Sequence, residues 1–472
     1  VGRSFKYHRP RGFFGAGVDE PYAIVQMNRN NEVDPNVRAT EQELFEGLEA
    51  KSVNCWPNVN FDIGAINNFL NKFFPAGFYY KTFMWPKSFW YKIYEPIIRK
   101  AAGFGAASIK HDKERYEHKY EYCDLLIAGS GPSGLASAYA AAQNGARVIL
   151  AEDKSRFGGS LLTSEVTIGN QSGQEWAEKI ISELKSMPNV VVKNRSQVFG
   201  YYDHNMLVMS ERVSDHLPKT DKYIPKQRLW YIRAKEVVIS SGSIERPLVF
   251  GNNDAPGVML SSAAKEYLKI YGVLVGKKPL VFTNNDSGYE TAIEFKKNGV
   301  DPVVLDTRKD PNSEIIKEAK DLNINIKSSY VVVAAKGYKK VNSADIAKIS
   351  DDKKNISNIE NIKCDCICVS GFWTPTIHLA SQSGNKTKFN EEIDAFVPSQ
   401  SKQKETTLGS ANGIFTLEET LKTSFEKGNE LSKQITNKEN KVSVPAVVEK
   451  KSSNHDKFWC VPLPEGKNYK RF

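Results

Sequence analysis

An apolar segment that runs directly into three regularly spaced glycines constrains the fold of this chain more than any other feature. Residues 122–128 read Tyr-Cys-Asp-Leu-Leu-Ile-Ala, and Gly129, Gly131 and Gly134 follow, ahead of an alanine-rich helical pattern. The first glycine permits a tight turn off a strand, the second lets a pyrophosphate approach the backbone, and the third lets the helix pack closely on the sheet. Free N–H groups at the helix start can then bind phosphate. The pattern predicts a dinucleotide site.

A second strand pattern strengthens this prediction. Residues 147–152 are largely apolar and end in Glu152, 18 residues after Gly134, where an acid can accept hydrogen bonds from ribose hydroxyls. The Glu152 carboxylate would also repel a 2′-phosphate, which favours NAD or FAD over NADP. The alternative is a glycine-rich turn in an α/β core that binds no ligand.

Three more glycine-containing segments follow in the order typical of flavoproteins with two dinucleotide-binding domains. They are the loop 156–160, the strand pattern 234–241 with its turn at Gly242, and residues 409–413. The first is expected to close over the cofactor, and the second to end the nucleotide domain. The helical pattern 417–427 that follows the third is expected to direct its N-terminus at the same pyrophosphate. Each segment alone is at least as well explained by an ordinary turn.

A second nucleotide fold is also indicated, but with an altered turn. Residues 278–292 have the strand and the helix, and residues 303–306 supply the next strand. Thr283 and Asn285 replace the first two glycines, so their side chains would occupy the room that a pyrophosphate needs. We expect this nested domain to keep the fold and to have lost the second ligand.

Length and composition set further limits. A chain of 472 residues with 40% hydrophobic content is long enough for two to three domains. No apolar run is long enough to span a bilayer and no signal peptide is recognisable, so a soluble cytoplasmic protein is expected. The chain begins with valine, and it is therefore expected to be a fragment or a processed product.

The six cysteines and the net charge of +10 indicate neither a metal site nor a nucleic-acid interface. Cys364, Cys366 and Cys368 alternate along a strand pattern, so a buried strand is favoured over a metal site. The sequence has no Cys-x-x-Cys pair, which argues against dithiol chemistry. Lysines are interleaved with acids along the chain, and this is typical of a solvated surface. The basic and aromatic patch 3–12 could bind an anionic cofactor, a partner subunit or RNA, or be a surface loop.

Two segments outside the nucleotide folds are unusual. Residues 78–91 contain eight aromatic side chains without regular spacing, which favours an arm buried between domains or against another chain over a membrane surface. Residues 437–454 are polar and lysine-rich, as in a linker. The apolar residues 458–464 that follow indicate the start of a further domain.

Four segments carry a resemblance to a known family. Residues 2–12, 74–86 and 245–254, together with the pair 371–378 and 381–384, resemble the alpha subunit of heterotetrameric sarcosine oxidase. The likeness extends over essentially the whole chain. It implies an α/β fold with two Rossmann-like dinucleotide-binding domains of the disulfide-reductase type, preceded by a truncated β-grasp, ferredoxin-like segment. The chain would be the N-terminal half of such a subunit, without the folate-binding C-terminal domain.

The resemblance also implies a domain plan. It comprises a β-grasp remnant at 1–30, an aromatic-rich connecting arm at 31–120, and a dinucleotide-binding domain at 121–272 and 361–436. A nested Rossmann-like domain is expected at 273–360, and a linker with the start of a missing domain at 437–472. The β-grasp remnant lacks the clustered cysteines of an iron–sulfur centre, so no cluster is expected.

The family oxidatively demethylates sarcosine and passes electrons to oxygen. Its FAD lies in the beta subunit, an FMN lies at the boundary of alpha and beta, and the alpha subunit carries an NAD that is not reduced in turnover. Gamma and delta subunits complete the complex, and tetrahydrofolate would bind only if the missing C-terminal domain were present. No nucleic acid and no membrane is expected as a partner. The alternative is a stand-alone FAD-dependent NAD(P)H oxidoreductase, and a third possibility is a scaffold with an empty pocket.

The residues expected to bind NAD follow from these patterns and the resemblance, with none expected to be catalytic or to bind metal. They are Gly129, Ser130, Gly131, Pro132, Ser133, Gly134, Glu152, Asp153, Lys154, Gly158, Gly159, Ser160, Val198, Ser241, Gly242, Asn412 and Gly413. Val198 is expected at the adenine. The loop 6–11 is a candidate lining for FMN.

Overall fold

The N-terminal region contains a small antiparallel sheet followed by short helices. The structure, a computed structural model, describes residues 3, 9–18, 20, 23–29, 32–53, 55–73, 83–102, 108–109, 111–218, 221–438, 441–452, 455–464, 466 and 469–471. Strands β1 (Ile24–Arg29), β2 (Glu32–Arg38) and β3 (Glu49–Ser52) pair in the order β2-β1-β3. Short helices follow at α1 (Asn67–Leu70) and α2 (Glu95–Ala102). The domain boundary expected at residue 30 therefore falls inside one sheet.

The aromatic-rich segment differs from the expectation of an arm buried between domains. Residues 74–82 lie outside the described part of the chain. Of the described side chains, Trp85 is 82% exposed and Tyr91 is 83% exposed. Burial between domains of this chain is thus excluded for these two rings, and contact with another chain stays a prediction.

The first large sheet is built around two long parallel strands. The elements of this part of the chain, in order, are β4 (Tyr116–Ala128), α3 (Pro132–Gln143), β5 (Val148–Ala151), β6 (Thr167–Ile168), β7 (Gln171–Ser172), α4 (Gly173–Ser186), β8 (Val190–Lys193), β9 (Ser196–Tyr202), β10 (Met206–Arg212) and β11 (Gln227–Ile239). Strands β6 and β7 form a small separate sheet. The strand order is β8-β5-β4-β11-β10-β9, with β8, β5, β4 and β11 parallel. Because parallel strands end at one edge, the loops after β4, β5 and β11 meet there.

The nested domain repeats this arrangement on a smaller scale. The elements after β11 are β12 (Ser243–Glu245), β13 (Val258–Leu260), α5 (Ser261–Tyr271), β14 (Pro279–Thr283), α6 (Ser287–Lys297), β15 (Val303–Asp306), α7 (Glu314–Asp321), β16 (Asn325–Ser328), β17 (Tyr330–Gly337), β18 (Val341–Ile349), β19 (Ile356–Ile362) and β20 (Cys366–Ser370). The nested domain extends beyond the expected range 273–360, because β13 and β20 belong to its sheet. A parallel sheet runs β13-β20-β14-β15-β16, and β17, β18 and β19 form a separate antiparallel sheet. The cysteine-containing strand β20 is fully buried, which confirms the expected buried strand.

The last elements return the chain to the first sheet. They are β21 (Trp373–Pro375), α8 (His378–Gln382), β22 (Lys386–Asn390), β23 (Ala395–Gln400), β24 (Glu405–Thr407), α9 (Leu417–Thr436) and β25 (Val447–Val448). Strand β24 pairs with β11, and α9 packs on α3. A Cβ at Gly428 of α9 would lie 2.7 Å from the Ser137 carbonyl oxygen, so small residues let the two helices approach closely. Across the described residues, no helix is both long and apolar enough to cross a membrane.

Candidate functional site

The three glycines in the turn from β4 into α3 have different structural roles. Gly129 has φ +106°, and a Cβ there would lie 2.3 Å from the Ser240 carbonyl oxygen. A Cβ at Gly134 would lie 1.9 Å from the Gly129 carbonyl oxygen, whereas one at Gly131 would meet nothing within 4 Å. Gly129 and Gly134 are therefore needed by the fold itself. Gly131 leaves open the space through which a phosphate could approach the backbone.

The N-terminus of α3 presents backbone N–H groups that could bind an anion. Gly131 is its N-cap and provides no side-chain hydrogen bond, while Pro132 occupies the first helical position. The backbone N–H of Leu135 is bonded to the Gly131 carbonyl oxygen, so the N–H groups of Ser133 and Gly134 precede the intrahelical ladder. Together with the helix dipole, these groups favour a negatively charged ligand.

Glu152, at the end of β5, lies beside this turn. The backbone N–H and the hydroxyl of Ser130 both donate to its Oε2, at 2.9 and 2.6 Å, and the Lys154 N–H donates to Oε1 at 3.1 Å. Burial and the neighbouring Asp153 carboxylate raise the pKa of Glu152 above its ordinary value of 4.5. The carboxylate is thus held at the turn, where further lone pairs can accept from ribose hydroxyls.

The loop after β5 folds against the glycine turn. The Gly158 N–H donates to the Ser130 carbonyl oxygen at 3.1 Å, and a Cβ at Gly159 would lie 2.8 Å from Gly131 Cα. Residues 159–162 form a short 3-10 helix that contains Ser160. The structure therefore brings Gly158, Gly159 and Ser160 to the place expected from the sequence.

The turn after β11 forms the third side. The Ser240 hydroxyl donates to the carbonyl oxygens of Ala128 and Gly129, and the Ser241 hydroxyl donates to Thr376 at 2.9 Å. Gly242 follows with φ +78°. Ser240 was not among the predicted residues, although its position between a buried strand and Gly242 is a usable signal.

Residues 409–413 complete the enclosure next to α3. A Cβ at Gly409 would lie 2.9 Å from Ser133 Cβ, and residues 409–412 form one 3-10 turn that contains Asn412. Gly413 follows with φ +81°. These contacts place the segment beside the N-terminus of α3, as the glycine pattern predicts.

The N-terminus of α9 differs from the expectation. Its first N–H groups, those of Leu417 and Glu418, donate to the carboxylate of Glu449 at 2.9 and 3.0 Å. An acidic side chain from the C-terminal region therefore caps this helix, and the prediction that its N-terminus faces a pyrophosphate is wrong for this structure. The sequence signal was weak because Glu449 lies 32 residues after Leu417.

Val198 and Lys154 are connected to Glu152 through the backbone of β9 and of the loop after β5. Strand β9 begins beside Glu152, since the Ser196 N–H donates to the Glu152 carbonyl oxygen at 2.7 Å. Val198, two residues further along, is half-buried against the core of the sheet. The Lys154 ammonium is paired with Glu266 at 2.6 Å, so its backbone N–H, not its charge, contacts Glu152.

The second crevice, after β14, is filled by protein atoms. The Thr283 hydroxyl donates to the Asn285 carbonyl oxygen at 2.7 Å, and a Cβ at Gly288 would lie 2.6 Å from Thr283 Cβ. Asn285, only 2% exposed, donates to Ser370 at the end of β20. The indole N–H of Trp373 donates to the Ser287 hydroxyl at 2.9 Å. The turn's polar groups are thus bonded to one another and to the adjacent strand.

Arg308 holds the remaining carboxylates of this crevice. Its guanidinium pairs with Asp306 at 2.8 Å and with Asp286 at 2.9 Å. Although burial opposes the charge, the hydrogen bond to Asp306 raises the pKa of Arg308. Asp306 follows Gly288 by 18 residues, the spacing that separates Glu152 from Gly134. The acid of the second fold is present, but its carboxylate is paired with an arginine of the same chain.

A C-terminal strap, residues 455–461, lies over the same crevice. The Asp456 N–H donates to the Asn284 carbonyl oxygen, and the Asn284 side chain donates back to the Asp456 carbonyl oxygen, both at 2.8 Å. The Thr307 hydroxyl donates to the Asp456 carboxylate at 2.9 Å, and Lys353 lies 3.1 Å from it. Phe458 and Val461 are buried in the core of the nested domain. The apolar pattern of residues 458–464 predicts the start of a further domain, but it gives no sign that these residues cover the second crevice.

The candidate lining for FMN is only partly described. Residues 6–8 lie outside the described part of the chain. Arg9 is buried against Asp254, with its Nε 2.9 Å from the carboxylate, and Pro10 borders a cavity discussed below.

The N-terminal region does not offer the ligands of an iron–sulfur centre. Residues 1–55 contain a single cysteine, Cys55, whereas a two-iron cluster needs four ligands. No group of three or more His, Cys, Asp or Glu side chains suited to a metal was found among the described residues.

Comparison with known proteins agrees with the fold. The family described as pyridine nucleotide-disulphide oxidoreductase matches residues 123–403. A second family, described as 2Fe-2S iron-sulfur cluster binding domain, matches residues 1–55. L-proline dehydrogenase from P. horikoshii superposes with a TM-score of 0.50 at 19% identity, covering 70% of this chain and 58% of that one. The expected fold class is confirmed.

Two curated relatives share the same name. The sarcosine oxidase subunit alpha of Rhizobium meliloti (strain 1021) is 45% identical over 398 residues, covering 84% of this chain and 39% of the relative. That of Corynebacterium sp. (strain U-96) is 28% identical, covering 89% of this chain and 39% of the relative. The chain thus spans about two fifths of the length of these relatives. It belongs to the pyridine nucleotide-disulphide oxidoreductase family and is a homologue of the sarcosine oxidase alpha subunit.

Proposed function

We propose that this chain is the NAD-binding part of an alpha-type subunit in an oxidase that demethylates sarcosine or a related N-methyl amino acid. In this proposal the NAD is a structural cofactor, and no residue of the chain abstracts a proton or a hydride from the amine. The observation that carries it is the contrast between an open first crevice at Gly131 and a filled second crevice at Asn285.

The residues of the first crevice fit a dinucleotide. The space beside Gly131 admits a pyrophosphate, and the N–H groups of Ser133 and Gly134 would bind it. The Glu152 carboxylate would accept from the ribose hydroxyls, and Val198 would pack on the adenine. Because a carboxylate at this place repels a 2′-phosphate, NAD fits better than NADP.

NAD is a hydride carrier in dehydrogenases, yet among the described residues the second crevice has no room for a partner that would exchange hydride with it. Hydride transfer through a disulfide-reductase fold uses two adjoining dinucleotide sites, and here Arg308 and the strap fill the second. The sequence also has no Cys-x-x-Cys pair that could pass electrons onward. The bound nucleotide would then stabilise the fold by mass action.

The other cofactors of the proposed oxidase would lie outside the nucleotide domain of this chain. We propose FAD in a beta subunit, FMN at the boundary with that subunit, and gamma and delta subunits as further partners. Tetrahydrofolate would bind to a C-terminal folate-binding domain. Exposed rings such as Trp85 and Tyr91 support a protein partner, since isolated chains rarely expose such apolar clusters. Nucleic acid and membrane have no place in this proposal.

A stand-alone FAD-dependent NAD(P)H oxidoreductase is the second candidate. The family match over residues 123–403 favours it, because such enzymes bind FAD in the first crevice and a nicotinamide nucleotide in the second. The filled second crevice counts against it.

Release of the bound nucleotide from the purified chain separates the candidates. Denaturation followed by chromatography and by absorption spectroscopy is expected to yield about one NAD per chain and no flavin. Bound FAD that NADH reduces would replace the proposal by the second candidate. An empty crevice that does not take up added NAD would reduce the chain to a scaffold.

A further inference from the structure

A basic cavity, to which the glycine turn contributes no lining residue, lies between the N-terminal region and the nested domain. Its volume is about 380 Å³, within the range of small-molecule sites. The N-terminal residues 9–10, the helix region 68–71, the loop 252–256, the hairpin 335–340 and the C-terminal residues 469–470 line it. Five segments that are distant in sequence therefore form one concavity.

The charged side chains that line the cavity are all positive among the described residues. The lining includes five cationic side chains and, among the described residues that border it, no acidic one; the cations are Arg9, Lys336, Lys339, Lys340 and Lys470. Two carboxylates behind the wall balance part of this charge. Asp254 pairs with Arg9, and Asp345 lies 2.9 Å from Lys336.

The hairpin between β17 and β18 supplies the excess charge. Lys339 and Lys340 stand at its tip, both exposed, and the Lys339 ammonium reaches only a backbone carbonyl, that of Asn60, at 3.3 Å. Gly337 has φ +149°, and a Cβ there would lie 1.9 Å from the Lys340 carbonyl oxygen. The tight hairpin thus depends on glycine and holds two lysines at the cavity mouth.

Fixed polar groups surround these charges. The Asn68 side chain donates to the Tyr338 carbonyl oxygen, which ties the helix region to the hairpin. The Asn252 side chain donates to the Ala335 carbonyl oxygen at 3.1 Å, and its carbonyl oxygen accepts from Arg9 at 3.0 Å. These bonds hold the cavity wall in place around the exposed side chains of Lys339 and Lys340.

We propose that this cavity binds a phosphate dianion, either free or as the monoester of a small polyol. The positive charge of Lys339 and Lys340 at the mouth of a concave site attracts a compact dianion more strongly than a monovalent carboxylate. The volume accommodates the phosphate together with a group of about the size of a pentose. This site is separate from the proposed NAD crevice and does not depend on it.

Calorimetric titration of the full chain tests the proposal with ribose 5-phosphate, inorganic phosphate and ribose. Ribose 5-phosphate or inorganic phosphate is expected to bind, more weakly as the salt concentration rises, and ribose is expected not to bind. Tighter binding of ribose 5-phosphate would assign the monoester, whereas equal binding would assign free phosphate. Absence of binding by both anions at low salt overturns the proposal.

Two variants locate the binding. The double variant Lys339→Gln, Lys340→Gln is expected to weaken binding by about tenfold or more, whereas Lys386→Gln, Lys388→Gln changes two exposed lysines of β22 and should have no effect. Gly131→Asp blocks the dinucleotide crevice at a position with open space and should leave phosphate binding intact. If Gly131→Asp abolishes phosphate binding and the lysine variant does not, the anion belongs to the dinucleotide crevice and the proposal is overturned.

Discussion

The carboxylate of Glu152 accepts hydrogen bonds from both the backbone N–H and the hydroxyl of Ser130, at 2.9 and 2.6 Å. One side chain thus connects the end of β5 to the middle of the glycine turn. The contact fixes the acid next to the predicted pyrophosphate site, and it makes Glu152 the residue whose change should most directly separate ligand binding from folding.

At about pH 9, above the raised pKa of Glu152, replacement Glu152→Gln is expected to lower NAD affinity by about tenfold or more, because the amide cannot give the charged hydrogen bonds to ribose that the ionised carboxylate gives. Nucleotide retained per chain after gel filtration measures this. Glu178→Gln, which alters an exposed acid of α4, serves as the control. Unchanged NAD retention in Glu152→Gln would remove Glu152 from the site.

The same residue predicts a pH effect on the nucleotide-free chain. An acid whose pKa is raised by folding binds its proton more tightly in the folded state, so the free energy of unfolding falls as pH rises above the ordinary value of 4.5. Glu152→Gln has no such titration. The free energy of unfolding of the variant relative to the wild type should increase from about pH 5 to about pH 8, by up to about 1.4 kcal/mol per pH unit. Urea unfolding at several pH values would show a constant difference if Glu152 kept an ordinary pKa.

Gly131 and Gly134 form a matched pair. Gly131→Ala should lower the free energy of unfolding by less than about 1 kcal/mol, because its Cβ meets no atom within 4 Å. It should nevertheless retain much less NAD than the wild type. Gly134→Ala should lower the free energy of unfolding by about 2–3 kcal/mol or prevent folding, because its Cβ would overlap the Gly129 carbonyl oxygen. Thermal melting and nucleotide content are measured on both. Equal NAD content in Gly131→Ala and the wild type would contradict the placement of the pyrophosphate.

Arg308→Met is expected to destabilise the chain by about 3–5 kcal/mol, because two buried carboxylates, Asp286 and Asp306, would lose their cation. Its NAD content should stay unchanged. The neighbouring Lys309→Met removes an exposed ion pair with Asp351 and should have no measurable effect on stability. A loss of NAD in Arg308→Met without a loss of stability would indicate that the second crevice holds the nucleotide.

Glu449→Ala should destabilise the chain by about 1 kcal/mol through loss of the cap on α9. Thermal melting compares it with Glu426→Ala, an exposed position on the same helix. NAD retention is expected to be equal in both. Tighter NAD binding in Glu449→Ala would instead mean that the helix N-terminus is available to the pyrophosphate.

The glycine turn could be predicted from the sequence almost completely, because its requirements are local. Gly129, Gly131 and Gly134 lie within six residues, and the space that each needs follows from the strand-turn-helix geometry itself. The altered turn at Thr283 and Asn285 could also be predicted, because residues other than glycine place side chains in the space that a phosphate would need. The cap at Leu417 could not be predicted, because the side chain that accepts hydrogen bonds from a helix N-terminus is usually sought within a few residues of the helix start.

The sequence by itself determined that this chain forms two Rossmann-like folds and that only the first has the glycines of a dinucleotide site. Only the tertiary structure decided what fills the second crevice and where charge accumulates. Asp456 reaches Asn284 across 172 positions, and the basic cavity joins five distant segments. Local sequence patterns determine backbone conformation through steric limits on φ and ψ. Contacts between distant segments depend instead on how loops without a strong conformational preference pack against the sheets.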